Sequence, residues 1–215
     1  MSYRLLVFDW DGTIIDSQAT IVECLREASR ELGLPMPERT TASHVIGLGL
    51  HGALRILAPE LAPHRYPEFV EHYRRHFMQR EASMQLFPGM RGLIEVLARE
   101  KTLAIATGKS RRGLDRALAA IGMQAYFTAS RCADETHPKP HPAMLLELMA
   151  ELDVAPHATL MIGDTSHDLQ MARAAGVDAV AVSYGAHPEH GLVSYNPRAC
   201  VGSVDELREW LRQNG

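Results

Sequence analysis

The chain has 215 residues, a formal net charge of -4 with its 11 histidines counted as neutral, and 46% hydrophobic residues. That length suits one large domain, or a core with an inserted subdomain, built around a substantial hydrophobic interior. The slight acidic excess argues against a general nucleic-acid binder, which carries a basic surplus, and no apolar run approaches membrane-spanning length.

The N-terminal Met1-Ser2-Tyr3-Arg4 leads directly into a predicted strand over 4–8, without the apolar stretch of a signal peptide. This strand ends in two carboxylates, Asp9 and Asp11, followed by Gly12, which lets the backbone turn sharply. In a strand, residues i and i+2 share a face, so Asp9 and Asp11 project toward one point. Two carboxylates that close repel each other, and a hard, oxygen-preferring cation such as Mg²⁺ relieves the repulsion. Taken alone, the pair also fits a plain strand end running into a polar turn.

About ninety residues separate this strand from the next, far more than the dozen or so that a crossover needs. The interval therefore holds its own structure. Asp16-Ser17 is placed to cap a helix carrying Ile21, Val22, Leu25, Ala28 and Leu32 on one face and ending at Gly33. Further helices are predicted near 41–45, 50–57 and 67–80, and no strand pattern intervenes. Residues 17–84 thus read as an all-helical insertion, with Phe87-Pro88-Gly89 marking the return.

Strands are then predicted over 102–106, 126–130, 159–162 and 178–182, with helices between them. Ser110 opens the helix of Leu114, Ala117, Leu118 and Ile121, and Gly122 stops it. Ser203 caps a last helix carrying Leu207, Trp210 and Leu211. This alternation predicts an α/β fold with a Rossmann-like parallel sheet core, helices on both faces and an inserted all-helical cap subdomain. The core comprises 1–16 and 85–215, and the cap 17–84. Ligands of open α/β sheets bind beyond the carboxyl ends of the strands. The insertion leaves from that edge, so it reads as a lid over the carboxylates. Cys24, Cys132 and Cys200 form no CxxC pair, which indicates neither a zinc site nor a disulfide framework. Free thiols suit a cytoplasmic setting.

Each later strand end carries a polar group. Thr107-Gly108 offers a hydroxyl and backbone N–H groups suited to a phosphate oxygen, or simply a helix cap region. Lys139 sits in the stiff loop His137-Pro138-Lys139-Pro140-His141-Pro142, as a fixed cation or as a solvated surface lysine. His137 and His141 read as solvated bystanders. Asp164 joins Asp9 and Asp11 if its strand neighbours the first, and otherwise caps the following helix. Asp168, four residues on, is an acceptor for Lys139 or a capping-box partner of Thr165. All four strand ends carrying a suitable polar group at once outweighs the separate structural readings.

Together, Asp9-Trp10-Asp11-Gly12-Thr13, Thr107-Gly108, Lys139-Pro140 and Gly163-Asp164 with Asp168 resemble the haloacid dehalogenase-like hydrolase superfamily. The similarity is greatest to its phosphoglycolate phosphatase-like branch with a helical cap. The resemblance implies a Mg²⁺-dependent phosphatase acting through an aspartyl-phosphate, with 2-phosphoglycolate the substrate it points to. By that resemblance Asp9 is the nucleophile and Asp11 the general acid and base. Thr107, Gly108 and Lys139 bind the phosphoryl group, and Asp9, the carbonyl of Asp11 and Asp164 hold Mg²⁺. Asp168 orients Lys139. Asp11 favours phosphate chemistry over carbon–halogen cleavage, because the family's dehalogenases do not use an aspartate there. A β-phosphoglucomutase-like mutase shares the same motifs and is the alternative. No lysine occurs in 17–84, which weakens the phosphonate-cleaving relatives. The loop Ile46-Gly47-Leu48-Gly49-Leu50 is predicted to face the site. Arg55 reads as surface-exposed, and the basic 64–80 stretch as a solvated helix face. The expected partner is a small phosphorylated metabolite, with no nucleic acid and no membrane, for a monomer or homodimer.

Overall fold

The computed structural model describes residues 3–215. Met1 and Ser2, where the N-terminal reading begins, lie outside the described residues. In chain order the structure runs β1 (Leu5–Phe8), β2 (Ile15–Asp16), α1 (Gln18–Glu31), α2 (Arg39–His44), α3 (Leu50–Leu57) and α4 (Tyr66–Arg80). It continues through β3 (Gln85–Leu86), α5 (Met90–Leu97), β4 (Thr102–Thr107), α6 (Arg111–Ile121), β5 (Ala129–Cys132) and α7 (Ala143–Leu152). It ends with β6 (Thr159–Gly163), α8 (Ser166–Ala174), β7 (Asp178–Val182), α9 (Glu189–Val193), β8 (Ala199–Val201) and α10 (Val204–Asn214).

Six strands form one parallel sheet in the order β5-β4-β1-β6-β7-β8. The central strand β1 is buried and apolar on both faces, as a parallel sheet covered on each side requires. Leu6 and Phe8 join one core cluster with residues of α5, α6 and α10. Leu5 and Val7 point the other way, into a cluster with α7, α8 and α9. Phe8 pairs with Ile105 on one side and Ile162 on the other, so Asp9 leaves the sheet level with Gly163. Three chemically loaded strand ends are thereby brought to one edge.

The chain leaves this edge through β2 and returns through β3, an antiparallel pair matching Ile15 with Leu86 and Asp16 with Gln85. Between them, α1 to α4 enclose a core of their own around Ile21, Leu25, Leu54, Phe69 and Phe77. Among the described residues no helix is long and apolar enough to cross a membrane.

Two expectations need correction, and two short elements escaped the sequence reading. The strand predicted over 126–130 lies at Ala129–Cys132, because β4 pairs Ala104 with Ala129, and Gln124–Tyr126 forms a single tight helical turn instead. Asp16 does not cap α1 but pairs in β2, and the Ser17 hydroxyl makes no cap bond. The segments β8 and α9 are too short to leave a periodic signature, which explains their absence from the sequence reading.

Candidate active site

Asp9 follows β1 directly and is fully enclosed, 1% exposed. Its Oδ1 lies 2.7 Å from the Nζ of Lys139, which lies 2.6 Å from Oδ1 of Asp168. Lys139 is 2% exposed, which rules out the solvated-lysine reading. It sits in its proline-rich loop, preceding a cis Lys139–Pro140 peptide. The other oxygen of Asp168 accepts from the backbone N–H of Thr165 at 3.0 Å and from its hydroxyl at 2.7 Å. Asp168 therefore fills both roles open to it: it closes the capping box of α8 and holds Lys139.

Asp164 follows β6 and is also fully buried. Its Oδ1 accepts from the hydroxyl of Thr13 at 2.9 Å and its Oδ2 from the N–H of Ala186 at 2.7 Å. Gly12 has a left-handed φ of 83°, and a Cβ there would stand 2.1 Å from Asp164 Oδ2. Only glycine permits this turn and this close passage.

Carboxylate oxygens of Asp9, Asp164 and Asp168 lie within 4.8 Å of one another, with one ammonium among them. Burial pushes the Asp9 carboxyl up to about 7, the Lys139 ammonium opposes this, and Asp168 and Asp11 add to the rise. Burial likewise holds Asp164 well above the usual carboxylate range, helped by Asp9 and Asp168. Burial works against the charge of Lys139, but Asp168 and Asp9 outweigh it and hold its pKa above the ordinary lysine value. Among the described residues Asp9 Oδ2 has no hydrogen-bond partner. An all-oxygen donor set with surplus negative charge and an unpartnered buried oxygen fits a hard divalent cation.

Asp11 faces the adjoining cavity, where Ser17 donates to its Oδ1 at 2.8 Å and Lys109 Nζ stands 3.0 Å from its Oδ2. The same ammonium lies 4.4 Å from the centroid of the Phe77 ring in α4. Thr107 is buried at the end of β4, and its Oγ1 accepts from the N–H of Lys109 at 3.1 Å. A Cβ on Gly108 would come within 2.7 Å of the Gly47 carbonyl oxygen. The 46–50 loop therefore packs directly on the end of β4, as its small residues predict.

The cavity holds about 520 Å³ and has Asp9, Asp11, the 46–50 loop, α4 and the start of α6 in its lining. Arg55 is exposed and does not line it. The basic 64–80 stretch departs from a simple solvated face. His72, Arg75 and His76 pair with Glu31, Arg80 pairs with Glu27, and Arg74 lines the cavity. His137 and His141 are exposed, their rings packed against each other at 4.5 Å.

Thr13, Ser17 and Lys109 escaped the sequence reading as site residues, although each lies within or beside a motif already singled out. His44, His167 and His187 carried no local signal. Their rings cluster within 4.7 to 5.5 Å, and both His167 and His187 contact the His44 carbonyl oxygen.

A buried nucleophile-sized carboxylate, a lysine clamped between two acids and a third acid at the neighbouring strand end define a hydrolytic site on a parallel sheet. The sequence model of the haloacid dehalogenase-like hydrolases matches residues 6–182, and the chain belongs to that family. It is 36% identical over 209 residues to the protein named "Probable phosphatase IndB" of Dickeya dadantii, covering 94% of this chain and 91% of that one. It is 31% identical over 219 residues to the tyrosine-protein kinase PtkA of Mycobacterium tuberculosis, covering 98% of this chain and 73% of that one. Among solved structures, a haloacid dehalogenase-like family hydrolase from Streptococcus pneumoniae superposes with a TM-score of 0.83 at 25% identity. That match covers 97% of this chain and 98% of the other.

Proposed function

We propose that this hydrolase is a Mg²⁺-dependent phosphatase of small phosphorylated metabolites, with residues 17–84 acting as a cap on a core of 1–16 and 85–215. The observation that carries the reading is Lys139, buried between Asp9 and Asp168 at the sheet edge. A cation fixed beside a carboxylate is what phosphoryl transfer needs, because that reaction is governed by positioning and charge stabilisation.

In this mechanism Asp9 attacks phosphorus and the ester P–O bond breaks, leaving an aspartyl-phosphate. Asp11 gives a proton to the departing alcohol oxygen. Asp11 then takes a proton from water, whose oxygen attacks phosphorus and releases phosphate and free Asp9. The Thr107 hydroxyl, the Gly108 N–H and Lys139 hold the phosphoryl oxygens. Asp168 keeps Lys139 in place. Asp9, the Asp11 carbonyl and Asp164 would hold Mg²⁺, which supplies charge neutralisation to the transferring group. 2-Phosphoglycolate is the ester that the sequence resemblance names. A cytoplasmic enzyme, monomeric or homodimeric and without a nucleic-acid or membrane partner, agrees with the composition.

The test is phosphate release from a panel of phosphate monoesters with and without Mg²⁺. Turnover that needs Mg²⁺ and vanishes in Asp9→Asn supports the reading. Isomerised ester without phosphate release would instead select a mutase, and no reaction with any ester would overturn both.

A further inference from the structure

The chamber beyond the reacting groups is larger and less polar than a two-carbon acid requires. At about 520 Å³ it lies in the range of roughly 300–1,000 Å³ that houses drug-sized ligands. Ile21 and Leu25 of α1 line it together with Val70, Tyr73, Phe77 and Met78 of α4. A two-carbon acid would leave most of this apolar surface uncovered, although Lys109, Arg74, Arg112 and Arg116 also line the chamber. The walls are also aromatic. Tyr73 and Phe77 lie with ring centroids 5.8 Å apart and planes at 27°, and the Tyr73 hydroxyl has no hydrogen-bond partner among the described residues.

Lys109 fixes the orientation. Its ammonium bridges Asp11, on the reacting side, and the Phe77 ring, on the chamber side. A phosphoryl group placed at Asp9 with its ester oxygen toward Asp11 therefore sends its organic part past Lys109 and into the Tyr73–Phe77 wall. We propose that the substrate is a phosphate monoester whose alcohol part carries an aromatic ring, seated against Tyr73 and Phe77. This rests on the phosphatase reading and narrows its substrate class away from 2-phosphoglycolate. Offset or edge-on ring contacts supply part of the binding energy, and the free phenol offers a polar contact.

The experiment compares kcat/KM of the wild-type enzyme, with Mg²⁺, on monoesters of primary alcohols. Adenosine 5′-monophosphate, uridine 5′-monophosphate and pyridoxal 5′-phosphate represent the ring-bearing class, 2-phosphoglycolate and glycerol 3-phosphate the ring-free class. The proposal expects at least one ring-bearing ester to exceed both ring-free esters by about tenfold or more, the scale of hydrophobic-pocket discrimination. Filling the chamber by Val70→Trp should lower kcat/KM for that ester roughly tenfold more than for 2-phosphoglycolate. A ring-free ester ranking first overturns the proposal while leaving the phosphatase reading intact. It would show that exposed cations of the lining such as Arg74 and Arg112, rather than the rings, select the substrate. Equal losses in Val70→Trp also overturn it. If Val70→Trp does not fold, the wild-type ranking decides. No phosphate release from any ester overturns the phosphatase reading itself.

Discussion

Asp168 divides its two oxygens between a helix and a lysine: Oδ2 serves the start of α8, and Oδ1 meets Lys139. The helix start thus fixes the acid, the acid fixes the lysine, and the lysine faces Asp9. Lys139→Gln should leave Asp9 and Asp168 buried without their cation. We expect kcat to fall about a hundredfold or more and urea unfolding to show a loss of ~3 kcal/mol, the scale for breaking a buried charge pair. His187 carries a second prediction at this scale. Its Nδ1 accepts from the Ser166 N–H at 3.1 Å, so Nε2 carries the proton and donates to the His44 carbonyl at 3.1 Å. Burial pushes its pKa down to about 4, the His44 contact resists, and His167 lowers it further. The unfolded chain takes up this proton below pH ~6.5, and the folded one resists until about 4. Stability from this group is therefore complete above pH ~6.5 and lost as pH falls toward 4, by up to ~3 kcal/mol. Urea midpoints followed from pH 7 to pH 4 should drop less steeply in His187→Gln than in the wild type. Parallel slopes would count against the assignment.

At the scale of elements, local chemistry was legible and pairing was not. Ser110 and Ser203 cap α6 and α10 where the sequence places them, accepting from the N–H groups of Gly113 and Glu206. A cap is a contact over three residues, so a sequence displays it directly. Ser203→Ala should lower stability by about 1 kcal/mol in thermal unfolding and leave kcat unchanged, since α10 packs away from the cavity. The start of β5 misled because Tyr126 and Phe127 favour strands, whereas register is decided by the partner strand β4. The closeness of Gly108 to Gly47 was equally invisible, joining segments some sixty residues apart. Gly108→Ala places a methyl 2.7 Å from the Gly47 carbonyl and must displace the 46–50 loop. Far-ultraviolet circular dichroism should stay native while kcat/KM falls by up to about a hundredfold, the cost of a misplacement near 1 Å.

Across the whole molecule, alternating strands and helices disclosed the sheet, and an overlong first crossover disclosed the helical layer. The strand ends disclosed the acids at the site because chemistry concentrates at that edge of parallel sheets. The contacts that seat the helical layer on the sheet had no such signature. Ser43 bonds the Ala186 carbonyl, and His167 reaches His44 across 123 positions of sequence. These contacts meet beside Asp164, whose Oδ2 takes the N–H of Ala186, so the docked layer and the acid cluster share one loop. That sharing makes charge at the site a matter of global stability. Asp9, Asp164 and Asp168 cluster around one lysine, and burial, with Asp168 and Asp11 adding to it against Lys139, raises the carboxyl pKa of Asp9 to about 7. A divalent cation binding only the folded chain should stabilise it by ~2.7 kcal/mol at a hundredfold excess over Kd. It competes with the proton on Asp9, so the gain should be larger at pH 8 than at pH 6. Thermal unfolding with Mg²⁺ and with a chelator measures the shift without reference to turnover. Asp164→Asn removes one charge and should shrink the shift sharply. An equal shift in wild type and Asp164→Asn, or no shift at either pH, would place the cation elsewhere and return Asp164 to a purely structural role beneath Gly12.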